Sequence, residues 1–448
     1  MRLRSKSIAI ATGVAVAVSA LAGCSAPAAD PTHIKVAFWS GSDPSLKDFL
    51  GGVAAELEEA DSDITVELVP VAGTADDYKS KLQLMARTES TAPDVIYEDS
   101  FLVKSDAAAG YLAPLDDYVA EWDDWSLFSE GVQEAGAGED GKIYGISAGT
   151  DLRAIWYNKD ILSAAGLETP WQPETWQDIL DAAEAVAATS PDVIPLNLYA
   201  GKAAGEASSI QGFQMLLSGT DDWLVDDGGK WVLGSQGFRD ALQFVEDVYQ
   251  NDLGPSPQLT SSADYKGQIS NQLLPEGKLA IAIDGSWMPT TWVEGGAAPW
   301  PGWEDTMGVA AMPTQNGQEP GTTAMSGGWL LSMGAKSTAK DLAWRYISTA
   351  LNQENSAKLA EALVITGARS DVSPSEEYLA KNPTADFFSE LVATTHFRPA
   401  TEDYPRISSE IQVATEEVIT GSATVEDAAR RWDDTVTKIV GDENTVKG

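Results

Sequence analysis

The chain has 448 residues, 29 Lys and Arg against 68 Asp and Glu, a formal charge of −39, and one cysteine. So acidic a chain repels phosphates and carries no basic stripe, which excludes nucleic acid as a partner. A single cysteine excludes both an internal disulfide framework and a cysteine-cluster metal site. Fifteen Trp, 12 Tyr and 10 Phe are spread along the sequence. They mark a globular protein rather than a disordered one, and the length suggests two or three domains.

Residues 1–23 have a basic start (Arg2, Arg4, Lys6), a short apolar centre over Ile8–Leu21 and a small-residue end, the pattern of a secretory signal peptide. The apolar run is too short and alanine-rich for a spanning helix. The only cysteine follows directly, in Leu21-Ala22-Gly23-Cys24. This resembles the lipobox of bacterial lipoproteins, which implies cleavage before Cys24 and a diacylglyceryl group on its sulfur. Residues 24–32, with Ser25–Pro31 small, polar and Pro-containing, are expected to be a tether. Cleavage would leave 26 basic against 68 acidic residues, a formal −42. The expected protein is extracytoplasmic, held to the outer face of the cytoplasmic membrane only through that lipid.

His33–Trp39 reads as a buried strand, followed by a loop at Ser40–Pro44. Ser45–Ala60 has a helical stripe of Leu46, Phe49, Leu50, Val53 and Leu57. Ile64–Val69 is a second strand, Asp76–Arg87 a second helix, and Pro93–Tyr97 a third strand that ends in Glu98-Asp99. This alternation predicts an α/β lobe with a mainly parallel sheet. Ligands bind outside the carboxyl ends of such strands, where Trp39, Ser40, Glu98 and Asp99 lie. Lys142–Ile146 and Arg153–Tyr157 read as two strands around Ser147–Asp151. Thr175–Ala188 and Phe238–Tyr249 are amphipathic helices, and Leu279–Ile283 is a buried strand ending at Asp284-Gly285-Ser286-Trp287. Ala297–Trp303 is a loop, Lys340–Leu363 one or two helices, and Val425–Val440 a terminal helix. Trp156, Trp176, Trp344 and Trp432 fall on the apolar stripes of these elements and are assigned to packing.

Two catalytic patterns fail on context. Gly145-Ile146-Ser147-Ala148-Gly149 fits G-x-S-x-G, but a strand pattern rather than a helix follows it. Its only distant histidine is His396, since His33 borders the tether. Gly136–Gly141 fits G-x-G-x-x-G, but no strand precedes it, and Glu139 and Asp140 would repel a pyrophosphate. Two histidines without H-x-x-x-H exclude the common zinc sites. No cofactor is expected.

Pro93-Asp94-Val95, Ala109–Asp116, Tyr157–Leu162 with Ala165-Gly166-Leu167, Thr175-Trp176, Gly277–Ala280, Asp284–Trp287, Gly327-Gly328-Trp329 and Gly367-Ala368-Arg369 recur in order over about 280 residues. Together they resemble the extracellular solute-binding proteins of ABC importers, family 1, the sugar-binding group. The resemblance implies a periplasmic-binding-protein-like α/β fold of two lobes joined by a hinge, with the ligand in the cleft between them. The first lobe would be 33–148 plus 313–352 and the second 149–312 plus 353–448, with a crossover near Ser147–Asp151. It implies a monomeric receptor without enzymatic activity that passes a sugar, expected to be an oligosaccharide, to ABC permease subunits.

Cleft positions that the resemblance implies are Trp39 and Ser40 after the first strand, Glu98 and Asp99 after the third, and Asp151 at the hinge. Trp287 in the Gly-Ser-Trp loop, and Gly328 and Trp329 at the Gly-Gly loop, belong with them. Trp303 lies in the Pro/Gly/aromatic loop. Arg153 shares a strand face with Asp151. Glu206 and Gln211 lie in the polar stretch leading into a Ser208–Leu217 helix. Arg369 stands where relatives carry Pro-x-Arg, with Ala368 in place of the proline. Aromatic rings match the C–H faces of a sugar, and carboxylates, amides and Arg match its hydroxyls. The alternatives are the same fold holding a non-sugar solute such as a polyamine, and a surface hydrolase using Ser147 and His396 or a pair of carboxylates.

Overall fold

The structure, a computed structural model, describes residues 30–41, 44–128 and 130–448. The signal segment, Cys24 and the tether as far as residue 29 lie outside the described residues, as do the loop positions Ser42 and Asp43.

Apolar β-branched runs form the first strands: β1 is His33–Ser40, β2 Thr65–Ala72 and β3 Val95–Asp99. Helix α1, Ser45–Ala60, connects β1 to β2 and buries Leu46, Leu50, Val53 and Leu57. Helix α2, Ala75–Ala86, connects β2 to β3. It begins in a capping box, with Thr74 Oγ1 accepting from Asp77 N and the Asp77 carboxylate accepting from Thr74 N. Helix α3, Val103–Ala108, follows β3. β1 pairs in parallel with β2 and β3, as the alternation predicts.

The remaining strands are β4 Gly145–Asn158, β5 Ile194–Asn197, β6 Trp231–Leu233, β7 Leu279–Gly285, β8 Met307–Ala310, β9 Met312–Pro313, β10 Thr322–Met333, β11 Thr395–Phe397 and β12 Thr445–Lys447. The main sheet runs β2-β1-β3-β10-β4-β7-β5, with β8 on β4 and β9 and β11 on β10; β6 and β12 form a separate pair. β10 lies antiparallel between β3 and β4, so the sheet is mixed at its centre.

Two expected features take another form. Lys142–Ile146 and Arg153–Tyr157 are not two strands around a loop: β4 runs unbroken for 14 residues. Its first part pairs with β10 and its last part with β7. Gly149 keeps it continuous at φ +147°, where a Cβ would lie 2.7 Å from the Thr366 carbonyl oxygen. The 366 segment crosses there, bridged to Thr150 in both directions. Gly327-Gly328 is likewise inside β10 rather than in a loop, with a bulge between Trp329 and Leu330.

Side chains separate into distinct cores along β4 and β10. Phe38, Leu50, Val95, Ile146, Leu331 and Tyr346 share one. Leu359, on the helix Gln353–Leu363, joins that core rather than the group containing the C-terminal helices. Ile155, Phe213, Phe238, Ile283, Ile411 and Trp432 form a second. Leu152, Trp156, Trp292, Trp303 and Phe388 form a third on the other face of β4 and β7. Trp156, Trp176 and Trp432 are buried as assigned, and Trp344 packs against Tyr118 and Trp122. Lys340–Leu363 is two helices, Lys340–Ala350 and Gln353–Leu363. Among the described residues no helix is long and apolar enough to cross a membrane.

Candidate functional site

The register of β3, β10 and β4 sets Asp99 opposite Trp329, Trp329 opposite Gly149, and Gly327 opposite Asp151. Asp99 closes β3 and is buried between two cations, Arg398 Nη2 at 2.9 Å and Lys79 Nζ at 3.4 Å. Burial opposes ionisation of Asp99, but Arg398 and Lys79 outweigh it and hold the carboxyl below its usual range. Arg398 also reaches Glu206 Oε1 at 3.3 Å and Ser100 Oγ at 3.3 Å. Glu206 accepts two further hydrogen bonds, from Tyr404 OH at 2.8 Å and Ser408 Oγ at 2.5 Å. The Phe101 ring carries both cations, Lys79 and Arg398, each 4.4 Å from its centroid.

Asp151 pairs with Arg153 Nη1 and accepts from Gly327 N at 3.0 Å. The Arg153 guanidinium lies 4.8 Å from the Trp287 ring centroid, and its buried Nε has no hydrogen-bond partner among the described residues. A Cβ on Gly327 would lie 3.0 Å from Arg153 Nη1, 3.0 Å from Asp151 Oδ1 and 3.1 Å from Arg398 Nη2, so the two ion-paired groups meet over that glycine. Asp76 of α2 extends the series, 3.5 Å from Lys79 and 3.7 Å from Lys266. Burial lowers the Lys266 ammonium, and Asp76 partly restores it.

Asp99, Asp151, Arg153, Glu206 and Trp287 are therefore brought into one neighbourhood. Trp39, Trp287 and Trp329 are all half-buried. Trp39 and Trp329 stack 6.1 Å apart, with Ser40 half-buried beside them at the end of β1. Gln211 is buried in Ser208–Gln214, which is wound with wide π-type turns.

Four expected residues stand elsewhere or do other work. Trp303 is 2% exposed and packs with Trp156 and Trp292, because the loop that carries it folds onto the third core. The Arg369 donors are committed to Asp371, Asp124 and the Leu351 carbonyl, so it ties its own segment to those of residues 124 and 351. Gly328 has φ +155°, and its Cβ would lie 2.5 Å from the Gly149 carbonyl, which makes it a strand-crossing glycine. Glu98 is turned away from Asp99, as strand alternation requires, and is buried. Arg369→Ala is expected to cost about 2–4 kcal/mol in denaturant unfolding while leaving ligand affinity within about twofold.

Burial, with Asp106 and Asp99 nearby, pushes the Glu98 carboxyl well up. Burial raises Asp106 to about 6, against the bond that Gln83 Nε2 donates to it at 2.8 Å. A value raised from about 4 in the unfolded chain means that the native state keeps a proton the unfolded chain releases. Asp106 then stabilises fully below about pH 4, and that contribution is lost as pH rises through 6. Asp106→Asn keeps the acceptor and is expected to gain about 1–3 kcal/mol over the parent at pH 8 and nothing at pH 4, measured by urea unfolding.

Arg398 was not singled out in the sequence, although it joins more of this cluster than any expected residue. Its carboxylate partners lie 299 and 192 positions away, and Phe397-Arg398-Pro399 has no periodic pattern. The four-residue spacing of Tyr404 and Ser408 among Ile407 and Ile411 was the available signal, because it sets two hydroxyls on the buried face of one helix.

The Ser147–His396 arrangement of a hydrolase is not formed. Ser147 lies within β4, which continues as strand to Asn158. Ser147 is in register with Leu330 and His396 with Met325, a separation of roughly 16 Å along β10. Gly136–Gly141 is a turn closed by the Gly138 N to Lys142 O bond. Among the described residues no group of three or more His, Cys, Asp or Glu is placed to hold a metal.

The pattern of the bacterial extracellular solute-binding protein family matches residues 43–357. The chain belongs to that family. Its members bind solutes outside the cytoplasm and are not enzymes. Among relatives of this solute-binding protein, the putative ABC transporter periplasmic-binding protein YcjN of Escherichia coli is 25% identical over 58% of this chain and 59% of its own. The maltodextrin-binding protein MdxE of Bacillus subtilis is 27% identical over 48% of each. The matched stretch thus spans only about half to three-fifths of the length of these two relatives. The fold is that of the GacH receptor of Streptomyces glaucescens, at TM-score 0.76 and 23% identity over 92% of this chain and 99% of the other.

Proposed function

We propose that this solute-binding protein is the sugar receptor of an ABC importer and holds a neutral oligosaccharide between the β3–β10 group and the β4–β7 group. The observation that carries the reading is the charge-paired cluster over Gly327. The carboxylates of Asp76, Asp99, Asp151 and Glu206 face the cations of Lys79, Lys266, Arg153 and Arg398. A polyamine needs unpaired carboxylates, whereas a hydroxyl can accept from a guanidinium and donate to a carboxylate while both stay paired. The half-buried rings of Trp39 and Trp287 supply apolar faces beside these groups. The maltodextrin-binding relative supports the same ligand class.

In this reading one lobe comprises residues 33–148 with about 327–370, the other about 150–325 with 375–448, and hinge closure occurs about β4, β10 and the 366 segment. The lipid on Cys24 holds the receptor at the outer face of the membrane beside its permease. The test is tryptophan fluorescence of the protein titrated with maltose, maltotriose, arabinotriose and spermidine, with chromatography of each ligand afterwards. A saturable response to an oligosaccharide recovered intact is expected, and Ser147→Ala leaves it unchanged. A response to spermidine alone, or conversion of the sugar, contradicts the proposal.

A further inference from the structure

Tyr97 is 4% exposed, and the Trp329 ring lies on it with centroids 4.8 Å apart and planes within 2°. Trp39 continues the series 6.1 Å from Trp329 at 14°. Tyr78, whose hydroxyl is bonded to the Tyr97 carbonyl, braces Trp329 at 6.1 Å and a tilt of 46°. The three rings are carried by β3, β10 and β1, and Trp329 stands directly opposite Asp99. Trp329 therefore has a ring stacked on it from Tyr97 and another from Trp39. Trp39 is the half-buried end of this stacked series, and its Nε1–H donates to the Gly73 carbonyl at 3.0 Å, which fixes the ring's rotation.

We infer that Trp39 is the ring that carries a sugar face, and that Trp329 is a positioning residue that holds Trp39 at its angle. This rests on the reading of the site as a sugar site. A stacking platform contributes most when its ring is immobile beforehand, because ordering a free side chain on binding costs conformational entropy. The Tyr97–Trp329–Trp39 series provides that order without ligand. A substitution at Trp329 then acts on the ligand only through Trp39, which separates it from a residue that touches the sugar.

The experiment reads hydrogen exchange of the Trp39 indole Nε1–H by ¹⁵N NMR on the ligand-free protein, in the parent, Trp329→Leu and Trp329→Phe. Trp329→Leu is expected to speed exchange at Trp39 at least tenfold, and Trp329→Phe, which restores a stacking ring, to hold it within threefold. Unchanged exchange in Trp329→Leu overturns the inference, and so does equal acceleration in both variants. This arm needs no ligand, so it stands apart from the failure of every sugar in the panel, which would sink only the sugar reading. With maltotriose or arabinotriose, whichever binds, Trp329→Leu is expected to weaken affinity about fivefold and to add less than twofold to Trp39→Ala. Losses that multiply in the double variant would show Trp329 acting on the ligand independently and overturn the positioning role.

Discussion

Replacing Arg398 with alanine is expected to lower the unfolding free energy by about 3–5 kcal/mol and to weaken sugar affinity at least tenfold. The cost comes from what remains. Arg398 is the neighbour of both Asp99 and Glu206, and its side chain is 5% exposed. Removing it leaves Glu206 with two hydroxyl donors and Asp99 with Lys79 alone. The triple variant Arg398→Met, Asp99→Asn, Glu206→Gln removes the uncompensated charge and is expected to recover part of the stability but not the affinity. Acid sharpens the contrast. Asp99 lies below the usual carboxylate range, so its contribution is present above about pH 4 and is lost as pH falls through the lower folded value. Without Arg398 the carboxyl rises, and the acid transition moves to higher pH, which urea unfolding between pH 3 and 8 would follow.

The second large effect is expected on binding alone. Trp287→Ala should weaken sugar affinity about tenfold with a small change in stability, because that ring is half-buried and lies against Gly285 and the Arg153 guanidinium rather than in one of the cores. Asp151→Ala should weaken it further and also destabilise, because it leaves Arg153 buried without its ion pair. Asp151→Asn keeps the acceptor for Gly327 N and is expected to fall between the parent and the alanine variant. Titration calorimetry of the three variants separates affinity from folding. If Trp287→Ala and Asp151→Ala both bind within twofold of the parent, the assignment of these residues to the ligand is wrong.

Local pattern was enough for elements whose burial has a simple period. The Leu46, Leu50, Val53, Leu57 stripe predicts α1 over Ser45–Ala60, as observed, and the β1, β3 and β7 runs end close to where the sequence ends them. Periodicity failed where two backbones approach. Ser147–Asp151 is small and polar, like a loop, because Gly149 must admit the Thr366 carbonyl and Asp151 must reach Gly327 N. Gly327-Gly328 misleads for the same reason.

At the site, Asp99, Asp151 and Trp287 were legible because they stand at strand ends or on a strand face, and their neighbours follow from the register. Trp303 and Arg369 carry the same local signal, an aromatic residue or Arg near glycine, yet one fills a core and the other ties three chain segments together. Arg398 shows the opposite limit, since its meaning arises only when residues 99, 206 and 398 meet.

The most direct test of a sugar held between the two groups of strands is hydrogen–deuterium exchange with and without the tightest-binding oligosaccharide of the panel. Protection is expected together at residues 97–101, 149–153, 204–212, 285–288 and 396–408. A cavity of about 160 Å³ lies between Ser286, the 360–367 segment and residues 372–389, and residues 372–389, beyond the hinge, should stay unchanged. Protection confined to residues 372–389, or to segments of one group alone, would contradict the account.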